Sequence, residues 1–118
     1  MIKRKEQMKI RIAEKVFGGE GKLQFLDLFE KEETQGLTRI FSIVTLEEGC
    51  SIGPHTHRGE AEIYFLLEGA AQTLSDGQWV DIKEGDGAFT PEGKEHAIRN
   101  PHKEKVRLLA VIIEGDSC

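Results

Sequence analysis

The sequence predicts an all-β fold, one antiparallel β-domain, and three observations predict it. Short stretches rich in β-branched and aromatic residues recur between glycine-containing turns, the pattern of a sandwich or barrel. No stretch shows a convincing run of apolar residues at helical spacing. The 118 residues are too few for two independent cores, and no repeats, low-complexity tracts or interdomain linkers interrupt them.

Taken in order, Lys9-Ile10-Arg11-Ile12 alternates apolar and polar, as a half-buried first strand should. Gly18-Gly19-Glu20-Gly21 breaks the chain, and Leu23 to Phe29 is a second apolar run. The charged stretch Glu30-Lys31-Glu32-Glu33 ends that run and allows one helical turn over Glu30 to Thr34. Leu37 to Leu46 is apolar on both faces, so it is expected to be covered on both sides. Glu62 to Leu67 is a strand that Gly69 interrupts and Ala70 to Leu74 resumes. Asp76-Gly77 is a hairpin signal leading into Trp79 to Ile82. Gly85 to Thr90, the turn Pro91-Glu92-Gly93, the strand His96 to Arg99 and the long strand Val106 to Ile113 complete the order.

The composition excludes several function classes. A net charge of −5 argues against a general nucleic-acid binder, which needs clustered Lys and Arg. The one basic cluster, Lys3-Arg4-Lys5, reads as a ragged, solvated N-terminus. No apolar run approaches the roughly 20 residues that cross a bilayer, and the start lacks the apolar stretch of a secretory signal. Cys50 and Cys118 form no disulfide framework and no CxxC, which points to a reducing, cytoplasmic compartment.

The chemistry lies in two segments. One runs Gly49, five residues, His55-Thr56-His57, four residues, Glu62, six residues, Gly69; the other runs Gly85, five residues, Pro91-Glu92-Gly93, two residues, His96, three residues, Asn100. Side chains two apart on an extended strand share a face, so His55 and His57 can bind a single cation. Glu62 can fold back beside them after the short link Arg58 to Ala61, and an intervening hairpin brings His96 alongside. Two histidines on a strand face are by themselves commonly satisfied polar residues; the company of Glu62 and His96 makes them candidate ligands. Three imidazoles and a carboxylate suit Mn, Fe, Co, Ni, Cu or Zn and disfavour Ca or Mg. An octahedral ion would keep two positions for water, substrate or dioxygen, whereas a tetrahedral zinc would be closed and structural.

These segments match both motifs of the cupin superfamily, G-x5-HxH-x3,4-E-x6-G and G-x5-P-x-G-x2-H-x3-N, at all ten specified positions. The chain thus resembles a small, single-domain bacterial cupin, with the motifs spanning residues 49–100. The resemblance implies a double-stranded β-helix, a jelly-roll-like barrel with one divalent metal inside an open end. It implies His55, His57, Glu62 and His96 as the ligands. Small cupins commonly dimerise through sheet faces and N-terminal strands, so residues 1–36 are expected to contribute to a homodimer.

With Glu62 inward, alternation sends Tyr64 and Leu66 inward too, and His96 brings Ile98. By resemblance the last strand contributes Leu108, Ala110 and Ile112, and Ser42, Val44 and Ile52 are further lining candidates. Arg99 and Arg107 point outward on this register, so the interior is expected to lack cationic groups and to take a small, weakly charged ligand. Tyr64 is the catalytic candidate, its hydroxyl able to donate a proton, against the plainer reading of a core tyrosine anchored by one hydrogen bond. Glu60 reads as a solvated loop glutamate, His102 as exposed and Trp79 as packing. Two function classes remain. One is an enzyme acting on a small metal-chelating carboxylate or hydroxy-carbonyl compound, as a decarboxylase, isomerase, lyase or dioxygenase. The other is a non-catalytic metal or small-ligand binding or sensing module.

Overall fold

The computed structural model describes residues 1–115 of the chain. In chain order their strands are β1 (Lys9–Glu14), β2 (Lys22–Asp27), β3 (Thr38–Leu46), β4 (Ser51–Thr56), β5 (Glu60–Glu68), β6 (Ala70–Ser75), β7 (Gln78–Lys83), β8 (Gly87–Thr90), β9 (Glu95–Arg99) and β10 (Val106–Glu114). They form a six-stranded sheet in the order β1-β2-β3-β10-β5-β8 and a four-stranded sheet in the order β4-β9-β6-β7. Every pairing is antiparallel, as the sequence predicts for an all-β chain.

The inward-facing residues of the two sheets make one shared core. Leu23, Val44, Leu46, Leu66 and Leu108 come from the larger sheet, and Ile52, Ala71 and Ile98 from the smaller. Leu108 sits opposite Val44 on one side and Leu66 on the other, so alternation on three neighbouring strands fills one layer. Burying each such aliphatic side chain contributes about 1.5–3 kcal/mol relative to leaving it in water.

The turn chemistry follows the sequence. Asp76 and Gly77 both take positive φ, 49° and 78°, as a two-residue hairpin loop between Ser75 and Gln78 demands. Gly69 has φ 88°, and a Cβ there would lie 2.6 Å from the Lys105 carbonyl oxygen, so the link between the two sheets needs glycine on both counts. Asn100 ends β9 fully buried. Its Nδ2 donates to the carbonyls of Leu46 (3.0 Å) and Glu104 (2.9 Å), and its Oδ1 accepts from the His102 N–H at 3.0 Å. One side chain thereby ties the end of β3 to the loop between β9 and β10. His102 itself is exposed, and Trp79 packs under the Arg99 guanidinium at 3.8 Å.

Four expectations need correction or refinement. β1 is not half-buried on its isoleucines: Ile10 and Ile12 are 63% and 60% exposed. Arg11 takes the inward position instead, opposite the core residue Phe25. The facing sheet has four strands against six, which leaves β1 at an edge where an arginine can turn inward and still reach water. The N-terminus is not simply solvated, because Lys3 Nζ donates to Glu33 Oε1 at 2.7 Å. The outer face of β3 is only half-covered at Phe41 and Ile43. Residues 30–36 make hydrogen-bonded turns, Thr34 N–H to the Glu30 carbonyl (3.2 Å) among them, without growing into a helix. Cys50 is buried, and Cys118 lies outside the described residues.

Asn100→Ala is expected to cost about 2–4 kcal/mol, because it leaves buried backbone groups without partners. Urea unfolding measures it, and a loss below about 1 kcal/mol would contradict this account of the clamp.

Candidate metal centre

The four residues converge because of one irregularity. β4 and β9 pair as Ser51↔Arg99 and Ile52↔Ile98, but the next pair is His55↔His96. Gly53 and Pro54 therefore oppose the single residue Ala97, a β-bulge. Proline fits such a place because it has no N–H to leave unpaired. Simple alternation would send Ile52 and His55 to opposite faces; the bulge turns both to the interior. His57 lies just beyond β4, so it reaches the centre from a connecting turn and not from the strand face that the spacing suggests. Glu62 comes from the other sheet, on β5 between Thr90 of β8 and Ile112 of β10.

Glu62 Oε1 is 2.9 Å from His57 Nε2, 3.0 Å from His96 Nε2 and 4.0 Å from His55 Nε2. The Nε2 atoms of His55 and His96 are 2.9 Å apart. One donor atom from each of the four residues lies within 4.8 Å of all the others, an arrangement that could hold a metal ion. Behind them, His55 Nδ1 donates to the Gly53 carbonyl (2.8 Å) and His57 Nδ1 donates to Glu60 Oε1 (2.8 Å), while His96 Nδ1 meets the Thr90 hydroxyl at 3.1 Å.

His57 carries the chemical test of fit. Both of its nitrogens face carboxylate oxygens, Glu60 on one side and Glu62 on the other. With Nδ1 donating to Glu60, the Nε2 lone pair would confront a second acceptor at 2.9 Å. A second proton on the ring, a proton on one of the carboxyl groups or a cation between Nε2 and Glu62 resolves that contact. Of these, the cation is the one that the neighbouring His55 and His96 nitrogens would also serve. The donor set, three imidazole nitrogens and one carboxylate oxygen, is the one that first-row transition ions favour. The charges respond to one another accordingly. The hydrogen bond with Glu62 raises the His57 imidazole above its ordinary value, against burial and with help from Glu60. Burial pushes Glu62 up, but the three imidazoles of His55, His57 and His96 around it hold it well below the usual carboxylate range.

Glu60 is not a solvated loop residue. It opens β5, its side chain is 11% exposed, and it accepts from Arg39 Nε and Nη2 at 2.9 and 2.8 Å. That pair lowers the Glu60 carboxyl and makes Glu60 an outer carboxylate orienting His57. Tyr64 stacks on His96 (centroids 5.1 Å, 17° apart), but the expected anchoring bond is absent: its buried hydroxyl has no partner among the described residues. Burial, followed by the Glu62 charge, pushes the phenol well above its ordinary value.

A pocket of about 180 Å³ adjoins the cluster. Val44, Ile52, Tyr64, Ala110 and Ile112 line it as expected, whereas Leu66, Ile98 and Leu108 are packed in the core and Ser42 bonds to Asp27. The expectation of a wall without cations is corrected, because Arg11 and Arg39 both line the pocket. Each is paired, Arg11 with Asp27 (2.6 and 2.9 Å) and Arg39 with Glu60. Sequence reasoning missed them, and also missed Val16, Phe17 and Phe25 from the N-terminal segment. The alternation of β1 points to its isoleucines, and only the pairing of Arg11 with Phe25 reveals that the polar residue faces in.

A family model described as the Cupin domain matches residues 42–112. An oxalate-binding protein of Thermotoga maritima is 40% identical over 96 residues, covering 81% of this chain and 79% of that one. The crystal structure of a predicted oxalate decarboxylase, also from Thermotoga maritima, superposes with a TM-score of 0.91 at 35% identity over 97% of this chain and 99% of that one. A protein of Thermus thermophilus aligns over 98% of both chains with a TM-score of 0.72 at 21% identity, a likeness of fold alone.

The Asp27 carboxylate, paired with the pocket residue Arg11, ties stability to pH. Burial pushes Asp27 up, but hydrogen bonds from Arg11 and Ser42 outweigh it and hold the group below its ordinary 3.8. A carboxylate depressed in the folded chain stabilises fully above that ordinary value and loses its contribution as acid protonates it in the fold. The urea midpoint of the wild type is therefore expected to fall more steeply than that of Asp27→Asn as pH drops from about 5 to about 2.5. Equal slopes would remove Asp27 from the acid response.

Proposed function

The chain belongs to the cupin family, and we propose that it is a metal-dependent member acting on a small metal-chelating carboxylate or hydroxy-carbonyl compound, with oxalate the first candidate. His55, His57, Glu62 and His96 hold one divalent transition metal, drawn from Mn, Fe, Co, Ni, Cu and Zn. The observation that carries this reading is the convergence of His55, His57, Glu62 and His96, with the His57 ring set between two carboxylates in a way that a cation would satisfy. The oxalate-binding relative at 40% identity supports the ligand class. A bound divalent ion would supply Lewis-acid polarisation of a chelated carboxylate or carbonyl oxygen. The chain's own part is to hold that ligand in a small, largely apolar pocket, with Tyr64 presenting a free O–H as hydrogen-bond and proton donor.

A second reading, binding without turnover, is favoured by the pairing of the pocket's other charged groups. Arg11 and Arg39 are engaged by Asp27 and Glu60, which leaves Tyr64 as the one unpartnered acid among the described lining residues. A cytoplasmic setting belongs to the same proposal, on the free, buried thiol of Cys50. Among the described residues no helix is long and apolar enough to cross a membrane.

The chain is proposed to work as one domain over residues 1–118 and as a homodimer. Registers place Ile10, Leu26, Ile43, Leu109 and Phe65 in one row across the outer face of the larger sheet, with Phe41, Val111, Ile63 and Phe89 beside it. Phe89 is 64% exposed in the single chain. A continuous apolar face of this kind is self-complementary about a two-fold axis, and residues 1–36 supply its β1–β2 margin.

Plasma mass spectrometry on protein purified without chelator or histidine tag is expected to find about one transition-metal equivalent per chain, lost in His57→Ala. Oxalate should bind the loaded protein, and turnover that disappears in Tyr64→Phe while oxalate still binds would select the enzyme; binding without turnover would select the module. No metal in either protein after reconstitution would sink the proposal. Light scattering is expected to give about twice the 13.2 kDa chain mass, and Phe65→Glu with Phe89→Glu about one chain mass with the metal retained. A wild-type monomer would remove the dimer.

A further inference from the structure

Phe17 stands at the mouth of the pocket on a backbone that phenylalanine rarely adopts. Its φ is 50°, Lys15 two residues before it has φ 49°, and Gly18 follows at 75°. Non-glycine residues in the left-handed region persist only where the surroundings over-determine them, and such strain gathers at functional sites. Here the surroundings do. The Val16–Gly18 turn, which joins β1 to β2, is pressed against the start of β4: a Cβ on Gly53 would collide with the Phe17 carbonyl oxygen, and one on Gly19 with that of Ser51. Ser51 N–H donates to the Glu20 carbonyl at 2.9 Å, and Glu20 N–H donates to Ser51 Oγ at 2.8 Å. The turn is thus fastened immediately before the bulge that aims His55.

The result is a ring laid flat on a proposed ligand. Phe17 and His55 stack with centroids 4.0 Å apart and planes within 9°. Yet Phe17 is 59% exposed, against 9% for Phe25 and 3% for Tyr64, the other aromatic rings of the pocket wall. Burial of apolar surface does not account for a strained residue that leaves most of its ring in water. Its place accounts for it better. The ring narrows the approach to His55, while Val16 and Phe25 behind it form apolar wall.

We infer that Phe17 is the specificity-determining wall of the metal pocket, admitting small planar chelators of the size of oxalate and excluding 2-oxo acids that carry a bulky apolar substituent. The inference rests on the metal-chelate reading above. Loss of the ring opens apolar space beside the centre, so an acid with an aromatic tail gains contacts that oxalate has no atoms to make.

The test titrates metal-loaded wild type, Phe17→Gly and Phe17→Leu with oxalate and with phenylpyruvate by calorimetry. Glycine suits φ 50°, so Phe17→Gly is expected to melt no lower than wild type, and Phe17→Leu keeps most of the bulk. Phe17→Gly should lower the oxalate-to-phenylpyruvate affinity ratio roughly 10- to 100-fold, with Phe17→Leu close to wild type. Metal content should stay the same in all three. An unchanged oxalate-to-phenylpyruvate ratio in Phe17→Gly would overturn the inference, as would a loaded wild type that takes both acids equally or neither. A wild type that holds no metal would show a different failure, that of the metal-chelate reading itself.

Discussion

A neutral imidazole cannot satisfy two carboxylates at once, and the centre of this molecule is organised around that constraint. Glu60 and Glu62 lie two apart on β5, so both point to the same face and both reach His57. Two negative charges in a half-closed barrel end need answering. Arg39, from β3 of the same sheet, answers Glu60 with two hydrogen bonds. Glu62 is left to the three imidazole rings and to whatever positive charge sits among them. The order of contacts, Arg39 to Glu60 to His57 to Glu62, fixes which nitrogen of His57 faces the centre and which faces away.

The two sheets make that convergence possible by contributing unlike parts. The smaller sheet brings His55 and His96 side by side through a cross-strand pair, and the larger brings the carboxylate from across the core. Neither sheet alone holds more than half of the donor set, so the centre registers how the sheets are stacked. The link at Gly69 and the buried clamp of Asn100 hold that stacking from the opposite end of the same strands.

Much of this is legible in the residues. The turn glycines and the Asp76-Gly77 hairpin follow from turn chemistry, a local property of the chain, and the grouping of His55, His57, Glu62 and His96 follows from motif spacing together with the cupin resemblance. What is not legible depends on register between distant strands. The bulge at Gly53-Pro54 is the plainest example: period-2 reasoning cannot have both Ile52 and His55 inward, and one extra residue decides it. Arg11 reads as outward because the isoleucines beside it look like the buried side, and its inward turn follows from an edge strand that a narrower sheet leaves open. Glu60 passes for a loop residue because its partner Arg39 is 21 positions away. The unpartnered Tyr64 hydroxyl can only be found by asking what surrounds it.

The overhang of the wider sheet has a consequence for how such a protein can change. The candidate ligands all fall between residues 55 and 96, inside the segment that matches the family model. Arg11, Val16, Phe17 and Phe25 come from the stretch before it. Cluster and outer wall are therefore encoded on separate stretches of one chain, and mutation can alter the wall while the cluster stays as it is. A lineage built this way can reshape the mouth of its pocket by altering a single hairpin, without passing through an ancestor that has lost the His–Glu cluster.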